Sequence, residues 1–250
     1  MKFIGIIPAR YASTRFPGKP LAILSGKPII QHVYENAAKG LDAVWVATDN
    51  SRIAQAVTNF GGRFIMTRED HQSGTDRCAE AAKLLSAKHN FDVVINIQGD
   101  EPFVRSEQIE ALKSCFADAQ TEIATLVKVI DSVEVLFNPN RPKVVVGRNQ
   151  HALLFSRETI PHIRGAAKEQ WLNQHEFYSH LGMYAYRKDI LQQITQLPPS
   201  KLEMAESLEQ LRWLENGFGI KVAQTRFESI GIDTPEDLEA ARRFLDDQDG

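Results

Sequence analysis

Short apolar runs alternate with amphipathic segments along the first half of the chain. The runs lie at Phe3 to Ile7, Ala43 to Ala47, Arg63 to Met66 and Val93 to Ile97. Strands separated by helix-length segments are typical of βαβ units, because parallel neighbours need a long crossover. Two intervening segments show the helical period, with apolar residues at Cys78, Ala81, Ala82 and Leu85 and at Ile109, Leu112 and Phe116. The first half therefore predicts a parallel sheet flanked by helices.

The second half has a different pattern. Lys143 to Gly147 and Ala152 to Ser156 flank a short polar turn, which indicates an antiparallel hairpin, and Leu181 to Tyr186 reads as a further strand. We expect an α/β fold with a Rossmann-like, mostly parallel mixed sheet and an antiparallel hairpin excursion. One domain over residues 1–250 is expected, with a softer division near residue 130. Arg164 to Asn173 and Leu197 to Ser200 are candidate lids.

Composition limits the class of protein. A chain of 250 residues with 43% hydrophobic content can bury one substantial core. The formal net charge of -3 gives no general attraction for nucleic acid or for an anionic membrane. Cys78 and Cys115 have no metal or redox spacing, which suits free thiols in a reducing cytosol. No apolar run is long enough to span a membrane or to form a signal peptide, so we expect a cytoplasmic protein without processing.

The loop after the first predicted strand is basic. Arg10, Arg15 and Lys19 fall within ten residues, with hydroxyls at Ser13 and Thr14 between them. Several cations that converge from one loop favour an extended polyanion such as a nucleoside triphosphate, although a solvated basic loop is the alternative. The Walker A and dinucleotide motifs are both absent from the sequence, so side chains would have to hold the phosphates.

Two acidic elements could complement that loop. Asp100 and Glu101 follow the strand that ends near Ile97, at the edge of a parallel sheet where ligands bind. Mg²⁺ suits a site of carboxylate and phosphate oxygens, and Asp100 is the first candidate ligand, with turn or capping chemistry as the alternative. Near the C-terminus, Thr234 reads as a helix N-cap and Asp237 as its capping-box acid, since Pro235 suits the first helical position.

This assignment leaves Asp233 outside the helix. Asp233 is therefore a likelier functional acid than Asp237, and the alternative is that it starts an Asx-turn.

The segment from Asp70 to Arg77 places Ser73 and Thr75 around Gly74. Such a loop could read the edge of a base, or it could simply cap the next helix.

With these pieces in place, the chain resembles the 3-deoxy-manno-octulosonate (KDO) cytidylyltransferases from Met1 to Leu245. The motifs that carry the resemblance are IPARYASTRFPGKPL at Ile7 to Leu21, TREDHQSGTDR at Thr67 to Arg77, NIQGDEP at Asn96 to Pro102, FNPN at Phe137 to Asn140, FSRETIP at Phe155 to Pro161, HLGMYAYR at His180 to Arg187, LEQLR at Leu208 to Arg212 and GIDTPEDLE at Gly231 to Glu239. Phe16 stands where the family usually has leucine, and Gly165 to His175 matches no family pattern.

The resemblance implies transfer of CMP from CTP to the anomeric C2 hydroxyl of KDO, with release of pyrophosphate, on the route to lipopolysaccharide. CTP and KDO would be the small-molecule substrates, Mg²⁺ the cofactor, and a homodimer through the second-half hairpin the expected assembly. The part before residue 130 would bind CTP. The part after it would bind the sugar and form the dimer.

The resemblance also assigns residues to roles. It implies nucleotide contacts from Pro8, Ala9, Arg10, Ser13, Arg15, Lys19, Ser73, Gly74, Thr75 and Arg77. It implies sugar contacts from Gln98, Arg157, His180, Tyr184, Glu209 and Gln210, with Arg157 on the sugar carboxylate. Asp100 and Asp233 would be the metal ligands, and the catalytic set would be Lys19, Arg15, Asp100 and Asp233.

Two alternatives and one unassigned role accompany this interpretation. A related enzyme could use another acid sugar such as a sialate, and an inactive paralogue could bind the nucleotide only. His180 is a candidate general base, but a lone histidine in a strand is as often a hydrogen-bonded core group, so no general base is assigned.

Overall fold

The computed structural model describes residues 1–12, 15–228 and 230–249. Its strands are β1 (Phe3–Ala9), β2 (Ile23–Leu24), β3 (Lys27–Pro28), β4 (Val44–Thr48), β5 (Phe64–Met66), β6 (Val93–Asn96), β7 (Ile123–Val129), β8 (Lys143–Val146), β9 (Ala152–Ser156), β10 (Tyr178–Arg187) and β11 (Ile220–Gln224). Its helices are α1 (Ile29–Ala37), α2 (Ser51–Asn59), α3 (Gly74–Ser86), α4 (Ser106–Cys115), α5 (Val133–Phe137), α6 (Lys188–Ile194), α7 (Lys201–Glu206), α8 (Glu209–Glu215) and α9 (Pro235–Asp249). Short 3₁₀ helices cover Lys19–Leu21 and Lys168–Asn173.

The chain divides into two compact units. Unit 1 comprises Met1–Glu110, Arg187–Thr195 and Ser229–Gly250, and unit 2 comprises Ala111–Tyr186 and Gln196–Glu228. The prediction of one domain with a softer division near residue 130 stays a prediction.

In unit 1, parallel strands lie in the order β6, β1, β4, β5. Every residue of β4 is buried, as expected for a parallel strand covered on both faces. The register pairs Ile6 of β1 with Trp45 on one side and Asn96 on the other. The loops that follow β1 and β6 therefore leave the sheet at the same edge, where ligands bind in folds of this kind.

In unit 2, β7 pairs with β11 in parallel and with β10 antiparallel. The antiparallel hairpin of β8 and β9 joins through the β8–β10 pair. The predicted mixed, mostly parallel α/β fold and its hairpin excursion are confirmed. A separate two-stranded sheet, β2 with β3, is additional to the prediction.

Both helical patterns are confirmed. Cys78, Ala81, Ala82 and Leu85 of α3 are buried, and so are the apolar residues at 109, 112 and 116. Cys78 and Cys115 are buried free thiols. Within the described ranges, no helix combines the length and the apolar character needed to cross a bilayer.

The segment at 164–173 differs from the expected lid. Its tryptophan, Trp171, is only 3% exposed and packs with Ile130, Leu136 and Phe177 in a core cluster of unit 2. The indole Nε1 donates to the carbonyl of Ala166 at 3.2 Å. A polar segment that buries its one large aromatic residue is anchored to its unit, so this packing is at odds with a freely moving lid.

Candidate active site

The turn after β1 determines the position of Lys19. Gly18 has a φ of 71°, and its backbone N–H donates to the carbonyl of Tyr11 at 2.9 Å. Any other residue at this position would have a strained backbone at that φ, and its Cβ would lie 3.2 Å from the ring of Tyr11. Glycine therefore allows the tight turn that leads directly into the 3₁₀ helix at Lys19.

Asp100 lies on a turn that passes close to the end of β1. The backbone N–H of Ile97 donates to the carbonyl of Ile6 at 3.0 Å and continues the β1–β6 pairing past the end of β6. A Cβ at Gly99 would lie 2.7 Å from the carbonyl oxygen of Pro8. Only glycine fits this approach without a shift of the backbone, so the close approach positions Asp100 beside the basic loop.

Asp233 precedes a capped helix, as predicted. Thr234 Oγ1 accepts from the N–H of Asp237 at 3.2 Å, and Asp237 Oδ2 accepts from the N–H groups of Asp233 and Thr234 at 3.0 and 2.9 Å. Burial raises the pKa of Asp237, but these hydrogen bonds outweigh it and the pKa is lowered. The predicted capping box is confirmed. Because Asp237 serves the helix, the Asp233 carboxylate remains available to other groups.

The two carboxylates meet at one ammonium group. Lys19 Nζ lies 2.7 Å from Asp100 Oδ2 and 3.0 Å from Asp233 Oδ1, and Arg15 Nη2 lies 3.1 Å from Asp233 Oδ2. A backbone hydrogen bond of 2.9 Å, from Ile232 N–H to the Asp100 carbonyl, holds the two acidic segments together. The Lys19 side chain is 13% exposed, whereas those of Asp100 and Asp233 are 31% and 46% exposed. The four predicted catalytic residues thus form one connected cluster.

This cluster forms part of the wall of a cavity of about 270 Å³ within unit 1. The cavity is lined by Pro8, Ala9, Arg10, Arg15, Lys19, Pro20, His71, Gln72, Ser73, Gly74, Arg77, Gln98, Gly99, Asp100 and Asp233. Eight of the ten predicted nucleotide contacts are in that lining. Ser13 lies outside the described residues, and Thr75 is buried in the first turn of α3 and absent from the described lining. The nucleotide-binding roles stay predictions.

The acidic pair suits a cation. Both carboxylates already share one ammonium group, so their oxygens converge on a single position. Among the described residues, no group of three or more His, Cys, Asp or Glu side chains could hold a metal ion. Mg²⁺ characteristically takes one or two carboxylates and completes its shell with phosphate oxygens and water, so two aspartates beside a basic loop fit it.

Ser73 has the capping role that the sequence left open. Its Oγ accepts from the N–H of Asp76 at 3.1 Å, and Asp76 Oδ2 accepts from the N–H of Ser73 at 3.2 Å. This capping box fixes the start of α3 at the cavity wall. Gly74 lies against the ring of Pro8, since a Cβ there would be 3.3 Å from Pro8 Cγ. The segment 73–74 is therefore packed closely on the end of β1.

Arg77 makes a buried ion pair. Its guanidinium donates to Asp49 Oδ2 and to Thr67 Oγ1, each at 2.6 Å, and to the carbonyl of Arg68 at 3.2 Å. The side chain is only 4% exposed. Arg77 thus joins the segment at 67–68 to the end of β4, and a nucleotide would have to compete for this guanidinium.

His71 is a cavity residue that the sequence reasoning missed. Its Nε2 is hydrogen-bonded to Glu80 Oε2, and Glu80 also accepts from the N–H of Arg68 at 2.9 Å. Burial raises the pKa of Glu80, but the hydrogen bonds from His71 and Arg68 outweigh it and lower the pKa. The carboxylate fixes the orientation of the ring and keeps the proton on Nε2. No local pattern in the sequence signals this pair.

The predicted sugar-binding residues are divided between the units. Gln98 lines the cavity in unit 1, whereas Arg157, His180, Tyr184, Glu209 and Gln210 belong to unit 2. All six roles stay predictions.

Arg157 already has several partners in unit 2. Its Nε donates to the carbonyl of Glu206 at 2.6 Å, Nη1 to that of Pro139 at 3.1 Å and Nη2 to that of Ser207 at 3.4 Å. Its backbone N–H donates to Glu206 Oε2 at 2.8 Å. Arg157 therefore fastens the end of α7 to the end of β9, a structural role that the sequence did not indicate.

His180 lies among aromatic rings. Its ring centroid is 5.1 Å from that of Phe155 and 5.3 Å from that of Tyr184, and Nε2 lies 3.0 Å from Thr125 Oγ1. Burial lowers the pKa of His180 to about 3. The ring is therefore neutral at neutral pH and a weak base, which favours the alternative of a hydrogen-bonded core group.

Tyr184 and Gln210 are both buried. The Tyr184 ring stacks on Tyr186 and meets Trp213 edge-on, with centroids 5.7 and 5.1 Å apart. Burial raises the pKa of Tyr184 well above its usual value.

Within the described part of the chain, Gln210 Nε2 and Trp213 Nε1 have no hydrogen-bond partner. Glu209 Oε1 accepts from Arg212 Nη2 at 2.9 Å. Buried donors without acceptors beside aromatic faces suit a polyhydroxylated ligand.

The chain is similar to several known proteins. The cytidylyltransferase family model matches residues 4–230. A 3-deoxy-manno-octulosonate cytidylyltransferase of Parabacteroides distasonis is 61% identical over 98% of both chains, and one of Phocaeicola vulgatus is 59% identical over 100% of both. The solved structure of a CMP:2-keto-3-deoxy-manno-octonic acid synthetase complexed with CTP is 44% identical, with a TM-score of 0.90 over 99% of this chain and 100% of that one. A glucose-1-phosphate thymidylyltransferase from Bacillus anthracis is similar in fold alone, with a TM-score of 0.64, 18% identity and coverage of 98% of this chain and 96% of that one.

Proposed function

This chain belongs to the cytidylyltransferase family, among the 3-deoxy-manno-octulosonate cytidylyltransferases, and we propose on that premise that it transfers CMP from CTP to the anomeric C2 hydroxyl of KDO. Pyrophosphate is the other product. The observation that carries the proposal is the cluster of Lys19, Arg15, Asp100 and Asp233 in one cavity, in a chain so similar to named enzymes over nearly its whole length.

The basic residues of the cavity would offset electrostatic repulsion between the two substrates. A triphosphate with about four negative charges and a sugar carboxylate repel each other by several kcal/mol at close range, even at an effective dielectric constant of about 20. Arg10, Arg15 and Lys19 place three positive charges in the cavity wall. These groups would bind the triphosphate and offset its repulsion of the sugar acid.

The residues divide the chemistry between them. The sugar hydroxyl oxygen forms a bond to the α-phosphorus and loses its proton to solvent, as the bond from the α-phosphorus to the bridging oxygen breaks. Pyrophosphate leaves with that oxygen and carries away the developing charge. Lys19 and Arg15 would stabilise that charge through preorganised donors. Asp100 and Asp233 would hold Mg²⁺, which when bound polarises the α-phosphate and lowers the pKa of the attacking hydroxyl. His180 would act as a neutral hydrogen-bonding group, because its pKa of about 3 makes it a weak base.

The base and the sugar would use different parts of the chain. Segment 73–74 and the end of β1 would surround cytosine, where backbone groups can select a base by the hydrogen bonds it completes. Gln98, His180, Tyr184, Glu209 and Gln210 would bind the sugar acid, and the unpaired Nε2 of Gln210 supports this proposal. For Arg157, binding of the sugar carboxylate would add to the bonds that the guanidinium already makes.

Three further points belong to the same proposal: a place in lipopolysaccharide synthesis, a cytoplasmic location and a homodimer through the β8–β9 hairpin. Support for the homodimer comes from β9, where Leu153 and Leu154 are both exposed. Successive residues of a strand point to opposite faces, so each face of β9 exposes one leucine that a second chain would cover. Sedimentation equilibrium would measure a mass of two chains if the proposal holds and a mass of one chain if it does not.

A pyrophosphate-release assay tests the activity, the specificity and the metal requirement together. The panel pairs CTP, UTP, ATP and GTP with KDO, a sialate and a neutral sugar, with and without Mg²⁺. We expect release only with CTP, KDO and Mg²⁺. Release with the sialate in place of KDO would identify the related enzyme, and no release from any pair would indicate the inactive paralogue.

A further inference from the structure

Lys19 occupies the position that a shared cation of the acidic pair would take. Its ammonium nitrogen lies 2.7 Å from Asp100 Oδ2 and 3.0 Å from Asp233 Oδ1. The side chain is largely buried, and the turn after Gly18 places Lys19 beside the two carboxylates. The chain itself thus neutralises its proposed metal ligands.

An ammonium group and a divalent ion compete for these oxygens. A metal ion bound between the carboxylates would need the oxygens that Lys19 now contacts, and it would be repelled by a positive charge at hydrogen-bond distance from its own ligands. Arg15 adds a further positive charge at Asp233 Oδ2. The ion is therefore bound well only after the ammonium group has moved to another anion. The triphosphate is that anion in the proposed reaction.

We propose that Lys19 is a competing cation that weakens divalent-metal binding to Asp100 and Asp233 until the triphosphate of the nucleotide draws its ammonium group away. The inference rests on the proposed function, because the nucleotide is what releases the lysine. It makes metal and nucleotide binding interdependent, and by linkage each improves the affinity of the other.

Binding of Mn²⁺ to the enzyme without nucleotide tests the competition. Free Mn²⁺ is measured by electron paramagnetic resonance at pH 7.5 for the wild type, Lys19→Met and Lys27→Met. Lys27 is a matched control, since its exposed ammonium pairs with Glu35 outside the cavity. We expect Lys19→Met to lower the dissociation constant for Mn²⁺ at least tenfold, while Lys27→Met leaves it unchanged. A Lys19→Arg variant, which keeps the charge, should bind as weakly as the wild type.

A second measurement needs no substitution at Lys19. Lysine acylation is followed by mass spectrometry as MgCl₂ is added to the wild type, and we expect the reactivity of Lys19 to rise several-fold while that of Lys27 stays constant. Asp100→Asn should abolish this rise. An unchanged Mn²⁺ affinity in a folded Lys19→Met variant, or an unchanged reactivity of Lys19 at saturating Mg²⁺, would overturn the inference.

The two proposals fail separately. If the wild type released pyrophosphate from CTP and KDO but Lys19→Met did not bind Mn²⁺ more tightly, only the competition would be wrong. If the wild type released no pyrophosphate, the proposed function would be wrong whatever the Mn²⁺ measurement showed.

Discussion

Replacing Arg77 with methionine separates two roles for a buried guanidinium at the cavity wall. The resemblance assigns Arg77 to the nucleotide, whereas the structure shows it bonded to Asp49, Thr67 and the carbonyl of Arg68. Methionine has a similar length and no charge, so Arg77→Met removes all three bonds with little change in volume.

The structure gives the size of the expected effect. The side chain of Arg77 is 4% exposed and that of Asp49 is 16% exposed, so the substitution leaves a carboxylate poorly solvated and unpaired. Loss of one partner of a buried ion pair costs about 3–5 kcal/mol. At about 2–4 °C per kcal/mol for a chain of this size, the melting temperature should fall by about 6–20 °C. Arg68→Met is the control, because its ion pair with Asp70 is exposed and worth at most about 1 kcal/mol.

Urea unfolding of Arg77→Met, Asp49→Leu and the double variant measures the interaction. We expect a coupling free energy of at least about 1 kcal/mol between the two positions, since they are in direct contact. The KM for CTP at a temperature where the variant is folded gives the second readout. A loss of stability below about 1 kcal/mol, together with a tenfold rise in that KM, would refute the structural role and support the nucleotide contact.

Three further substitutions test His180, Lys143 and Glu80. The pKa of His180 is about 3 in the folded protein and about 6.5 in the unfolded chain, so its contribution to stability is complete above about pH 6.5 and is lost as the pH falls toward 3. The free energy of unfolding should therefore fall between pH 7 and pH 5 more steeply in the wild type than in His180→Gln, and equal slopes would contradict the assignment. Lys143 is 1% exposed and donates to the carbonyls at 138 and 157, so Lys143→Met should lower the free energy of unfolding in urea by about 2–4 kcal/mol. A change within about 0.5 kcal/mol would show that the two carbonyls find other donors. Glu80→Gln should raise the KM for CTP several-fold and leave that for KDO unchanged, because His71 loses the carboxylate that orients it, and an unchanged KM for CTP would exclude that role.

Local patterns predicted the parts of the fold that depend on neighbours in the sequence. Three such parts involve residues only a few positions apart. They are the spacing of apolar residues along α3 and α4, the β8–β9 hairpin, and the capping box of Thr234 and Asp237. The interactions that form each of them lie within a single helix, one helical turn or one pair of strands. They could therefore be identified without knowledge of the rest of the chain.

Contacts between distant segments could not be predicted in this way. Arg77 meets Asp49 across 28 positions, and Lys19 meets Asp233 across 214. Residue type alone does not say whether an arginine binds phosphate or a carboxylate of its own chain, as Arg157 also illustrates. The polar composition of the segment at 164–173 predicted a lid, whereas the structure shows that Trp171 packs this segment into a core cluster.

The rate of CMP transfer in a single turnover tests the proposal that Asp100 and Asp233 act together in one site. CTP labelled at the α-phosphate is mixed with KDO, Mg²⁺ and excess enzyme, and CMP-KDO is quantified after rapid quenching for the wild type, Asp100→Asn, Asp233→Asn and the double variant. We expect each single variant to be slower by two or more orders of magnitude and the double variant to be little slower than either, since residues that act as a unit are strongly non-additive. A folded single variant with a rate near that of the wild type, or multiplicative losses in the double variant, would contradict the claim.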